Sequence, residues 1–240
     1  MTNNEVFYTC VLTGAKEILG VENPVEGLDK ETVKKEWKKA SKKLYEKKII
    51  YDKDDEIYIN DKYAKISAAI SYPELVYIHQ IDEDTSKYIY IKRNLYVSLI
   101  TGENFEVKLF ENVDEFIEEL NQNFHLTDCK EFKKMEFTSE EINKALELFV
   151  DGEKEKAIDY LKSKDVNKEE IGLIIELMMD NENYIHKDFI GIKTEEDDIK
   201  EAIFKTIKTK NGTWLLKILD DKINIFKYNK LNSLLEVLNI

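Results

Sequence analysis

Between Lys87 and Leu120 apolar and polar side chains alternate, and then the period changes. KYIYIKR, LYVSLIT and FEVKLF repeat every second residue, as strands do, before the apolar spacing lengthens to that of a helix. ELVYIHQ precedes them in the same two-residue period, with DEDTS and TGEN as turns. The inner face is expected to hold Val76, Ile78, Ile89, Ile91, Leu95, Val97, Leu99, Val107 and Leu109, with Tyr77, His79, Tyr88, Tyr90 and Tyr96 alternating with them. Asn112 and Glu115 form a capping-box pair opening a helix buried through Val113, Phe116, Ile117 and Leu120.

The same order closes the chain. AIFKTIK and TWLLKIL flank Asn211-Gly212, a strong hairpin signal, and INIFKY leads into the helix LNSLLEVL. Ahead of the first meander, residues 5–20 space their apolar groups as a helix closed by Gly20, and Asp29 caps a second helix running to about Lys48. IIYDKDDEIYIN predicts a small hairpin turned at its Asp-rich tip, and DKYAKISAAISY a short helix ended before Pro73. Residues 121–136 read as a connection, Thr138 with Glu141 as another capping box, and Asn167 with Glu170 as the start of a further helix. These elements predict an α+β fold: a pseudo-two-fold repeat of helices followed by an antiparallel β-meander and a closing helix. The halves fall at 1–127 and 128–240 and are expected to make one compact unit.

Composition then removes function classes. The net charge of -13 repels nucleic acid and anionic lipid, and Arg93 is the one arginine among 36 basic residues, so bidentate phosphate capture has no repeated donor. The eight glycines never cluster, which removes phosphate-binding loops. Cys10 and Cys129 match no metal-ligand spacing and are expected as buried thiols, while His79, His125 and His186 stand apart from one another. No hydrolase, zincin or EF-hand motif occurs. We therefore expect no enzyme, no cofactor and no metal. No apolar run is long enough to span a bilayer and the first ten residues lack a secretory pattern, so a cytoplasmic location without membrane insertion is expected.

Two surfaces stand out as binding candidates. The helix over residues 29–48 carries Lys34, Lys38 and Lys42, and with the following hairpin as a wing it could act as a winged-helix nucleic-acid-binding regulator. Its acidic wing tip and lack of arginine argue for a solvated face instead. Tyr77, Tyr88, Tyr90 and Tyr96 form the other candidate, because tyrosine concentrates at protein interfaces. They are the expected partner-binding residues.

GLDKETVKKEW, the run SYPELVYIHQIDEDTSKYIYIKRNLYVSLITGENFEVKL, the central TSEEINKALELFVDGEKEKAIDYLKSKDVNKEEIG and the closing NGTWLLKILDDKINIF lie in an order that resembles the EspG family of type VII (ESX) secretion chaperones. The resemblance implies a non-enzymatic cytosolic chaperone or adaptor with a quasi-two-fold α+β fold. Such a protein binds a helical secretion substrate and keeps it soluble for export. The Lys, Ile and Asn-rich composition departs from the Ala, Arg and Gly-rich members, which points to a WXG- or LXG-type partner rather than a PE/PPE pair.

Overall fold

The computed structural model describes residues 1–103, 105–123, 126, 133–164, 166, 170–172, 174, 186–195, 198–209 and 212–228. In chain order these form α1 (Asn3–Leu12), α2 (Lys30–Glu46), β1 (Ile50–Lys53), β2 (Glu56–Ile59), α3 (Asp61–Ser71), β3 (Leu75–Gln80), β4 (Ser86–Lys92), β5 (Leu95–Ile100) and β6 (Glu106–Leu109). Then follow α4 (Val113–Asn123), β7 (Lys133–Thr138), α5 (Ser139–Val150), α6 (Lys154–Lys162), β8 (His186–Glu195), β9 (Asp198–Thr209), β10 (Gly212–Leu219) and β11 (Lys222–Lys227). The fold is α+β with antiparallel sheet, as expected. It groups into two compact units, Met1–Glu118 with Ile190–Lys200, and Glu119–Phe189 with Glu201–Ile240. The closing helix expected over residues 231–238 lies outside the described residues, as do His125, Cys129 and Asn211.

In the first unit the strand order is β6-β5-β4-β3, with residues 190–193 of β8 paired antiparallel to β3. One sheet face meets α1 and α3, where Val6, Cys10, Ile66, Ala69 and Ile70 pack against Val76, Tyr90, Val97 and Leu99. Cys10 is buried as expected, and burial pushes its thiol above the usual range. The other side of α1 offers Tyr8 to Ala40 and Leu44 of α2 and to Ile49 and Ile50.

The first helix is shorter than its apolar spacing predicts. Thr2 and Glu5 form a capping box at its start, and Gly14 turns the chain out at a φ of +91° two residues after Leu12. Tyr72 holds that exit by donating its hydroxyl to the Thr13 carbonyl at 3.2 Å. The Asp29 cap is as expected: its carboxylate accepts from the Thr32 amide at 3.0 Å, the Thr32 hydroxyl at 2.8 Å and the Glu31 amide at 2.8 Å, which keeps it below the usual aspartate range. The hairpin of β1 and β2 is also present, turned at Asp54 and Asp55, both with positive φ.

Glu5 has a second role that sequence did not reveal. It is buried, with Oε1 2.6 Å from Lys47 Nζ and Oε2 accepting the Thr2 amide at 3.0 Å, so its charge is compensated where α1 meets the end of α2.

In the second unit the order is β9-β10-β11-β7. The expected hairpin of β9 and β10 is present, with Gly212 paired to Thr209 as the first residue of β10 rather than lying in the turn. Phe137, Trp214, Ile223 and Ile225 on one face pack against Ala145 and Leu161 of α5 and α6. Strand β7 corrects the expected connection over 121–136. Met135 and Phe137 do alternate with polar neighbours, but lysine and glutamate fill the other face, and the strand's partner, β11, is roughly 90 residues away in sequence.

Thr138 caps α5 in the expected box with Glu141. The Glu141 carboxyl is held below the usual range, first by the hydrogen bond from Lys164 and then by the Thr138 amide. Its stabilising contribution is complete above the ordinary glutamate value of 4.5 and is lost as pH falls through the lower folded value. Glu141→Gln should therefore flatten the acid side of the melting-temperature profile. An unchanged acid limb would mean that the Lys164 contact does not persist in solution.

Candidate functional site

Residues opposite one another in an antiparallel pair share a face, so the register decides where each expected tyrosine points. Val76 pairs with Tyr90, Ile78 with Tyr88, and Tyr90 with Val97, which places Tyr88 and Tyr90 on the α1/α3 face. Tyr77 pairs with Ile89, and Tyr96 with Ile91, on the opposite face. The expected inner face is correct in β3, β5 and β6 and inverted in β4, where the tyrosines occupy it instead of Ile89 and Ile91. The four tyrosines therefore do not line one exposed face.

Two of them belong to the core. Tyr77 is 1% exposed and Tyr90 is fully buried, and burial drives both phenols well above their usual range. Tyr90 donates its hydroxyl to the Leu19 carbonyl at 2.5 Å. Tyr96 is half-buried, its ring stacked on Phe116 at 4.5 Å. Tyr88, half-buried and stacked on Tyr90 at 6.2 Å, is the one that reaches an open cavity.

That cavity is a cleft of about 480 Å³ where the ends of β4 and β5 meet the loop after α1. Val21, Tyr88 and Phe105 give it apolar walls, with Asn3, Asp84 and Thr101 at its rim. The Asn3 side chain brackets the Glu22 backbone, donating to its carbonyl at 2.9 Å and accepting from its amide at 3.0 Å. This fastens the loop to the start of α1. Gly20 lies against the Tyr88 ring with a φ of +74°, and a Cβ there would come within 2.7 Å of ring carbon. On the strand side, Thr101 Oγ1 accepts from the Ser86 amide at 2.9 Å.

Among the described residues the lining carries the carboxylates of Glu22 and Asp84 and no lysine, arginine, histidine or cysteine. An anionic ligand would be repelled. An apolar side chain with polar surroundings suits the walls and rim. Among the described residues no cluster of His, Cys, Asp and Glu could hold a metal ion, and no helix is long and apolar enough to cross a membrane.

The second expected surface is also formed. Ala40 and Leu44 of α2 are buried and Val33 and Trp37 half-buried, so Lys34, Lys38 and Lys42 are turned to solvent. Lys39 pairs with Glu36 at 2.6 Å and Lys42 with Glu46 at 3.9 Å. The adjoining hairpin ends in exposed Asp54, Asp55 and Glu56.

No protein-family model matches this chain, and no curated protein sequence does. Among solved structures, the fold is similar to that of the Mycobacterium tuberculosis type VII secretion system chaperone EspG5, determined in complex with the PE25–PPE41 dimer. The TM-score is 0.57 at 11% identity, over 96% of this chain and 90% of that one. At that identity the likeness is one of fold.

Proposed function

We propose that this chain is a non-enzymatic cytoplasmic chaperone or adaptor of type VII secretion, which binds a helical secreted protein of WXG or LXG type and keeps it soluble until export. The observation that carries the reading is the likeness of fold to a secretion chaperone over nearly the whole of both chains. The Tyr88 cleft supports it from the chemistry, since an acid-rimmed apolar cleft accepts a protein side chain and discourages phosphate. Of the four tyrosines expected to bind a partner, Tyr88 has the access to do so, while Tyr77 and Tyr90 are buried and Tyr96 is stacked on Phe116 at the other face of the sheet.

Co-expression tests this directly. A WXG- or LXG-type protein from the same genome, insoluble when produced alone, should become soluble and co-elute with this chain in stoichiometric amount. Tyr88→Ala, assayed below its own melting temperature because the ring also packs on Tyr90, should weaken that complex by about tenfold or more, as central aromatic anchors do. Equal solubility of the partner with and without the chain would end the proposal.

A further inference from the structure

The lysine side of α2 has no role in the Tyr88 cleft, yet its geometry is specific. We propose that Lys34, Lys35 and Lys38, ending at Tyr45 and Ile57, form a second docking surface, for an acidic segment of a protein partner. The surface stands on its own observations and is independent of what the Tyr88 cleft binds.

Lys34, Lys38 and Tyr45 follow one another along a single flank of the helix. At 1.5 Å per residue the lysines are about 6 Å apart along the axis and Tyr45 is about 16 Å from Lys34. Lys39, Lys42 and Lys47 each have a carboxylate partner, whereas among the described residues none stands within ion-pair distance of Lys34, Lys35 or Lys38. Their charge is thus directed outward.

An apolar end adjoins the stripe. The Tyr45 hydroxyl donates to Asp52 Oδ1 at 2.6 Å and fixes the hairpin to the helix. Asp52 pairs with Ile57 across the hairpin, so both share the face whose inner residues Ile50 and Ile59 enter the core. Ile57, at the outer end, is 50% exposed and Tyr45 36%. Cations followed by an exposed aliphatic group define a binding surface more closely than a solvated lysine face does.

Charge complementarity selects the occupant. Residues 30–48 hold nine lysines and three glutamates within a chain of net charge -13. A long polyanion lying on the lysines and continuing past Tyr45 would run toward Asp54, Asp55 and Glu56 at the hairpin tip and be repelled there. A duplex and an anionic bilayer both have that extent. A short polypeptide with carboxylates about 6 Å apart, as at i and i+4 of a helix, can end before the tip and place an apolar residue on Ile57.

The test uses the full chain and a fluorescein-labelled amphipathic peptide with glutamates at i and i+4 and a leucine two turns beyond, at i+11, alongside its glutamine counterpart. Anisotropy should show saturable, salt-sensitive binding of the glutamate peptide and none of the glutamine peptide. K34E/K38E should weaken it by at least about tenfold and Ile57→Ser by about threefold, with circular dichroism unchanged. Equal binding of both peptides, or no effect of K34E/K38E, would overturn the proposal. So would tighter retention, through the same lysines, of single-stranded DNA or of phosphatidylserine vesicles.

Discussion

Phe116→Ala should cost about 3–5 kcal/mol of stability, the range for removing a fully buried phenylalanine whose cavity cannot collapse. Phe116 is completely buried, stacked on Tyr96 at 4.5 Å and edge-on to Phe110 at 5.7 Å. These contacts seat the first turns of α4 on the sheet face that also carries Tyr77 and Ile89. Phe116→Leu, which keeps most of the volume, should cost appreciably less. Urea denaturation of the two variants measures the difference. A loss below about 1 kcal/mol for alanine would show that α4 is not held by this ring.

Gly20→Ala joins stability to the Tyr88 cleft. Its positive φ alone costs a non-glycine residue about 1–2 kcal/mol, and the forced contact with the Tyr88 ring adds about 1–3 kcal/mol. Gly27 supplies the control, because it has a φ of +71° and nothing within 4 Å of the place its methyl group would take. Gly27→Ala should therefore show the backbone penalty without the contact. The excess for Gly20 reports how firmly Tyr88 is held, and it should be accompanied by weaker partner capture, since Tyr88 and the Leu19 carbonyl that receives Tyr90 are displaced together. Equal costs at the two glycines would mean that the loop does not rest on the ring.

The elements were legible in the sequence wherever the local signal was strong. The capping residues Asp29 and Thr138, the Asp-rich hairpin and the strands of the first meander occur where their patterns place them. What the pattern could not give was the facing of β4. That strand is flanked on both sides by packed layers, so tyrosine and isoleucine are both acceptable inward, and pairing through the turn at 81–85 sets the choice. The Tyr88 cleft was missed for a related reason: Gly20 reads as the end of a helix, while its function is to let a loop approach a ring distant in sequence. Glu5 shows the same limit, since its capping role is local but its partner Lys47 comes from another helix.

Purification of the tagged protein from a lysate of its native cell, with mass spectrometry and quantitation of what co-elutes, decides whether the chain holds a helical secreted protein as proposed. One small helical protein of WXG or LXG type should be recovered in stoichiometric amount and lost when Tyr88 is replaced by alanine. Recovery of the chain alone, or with nucleic acid, would contradict it.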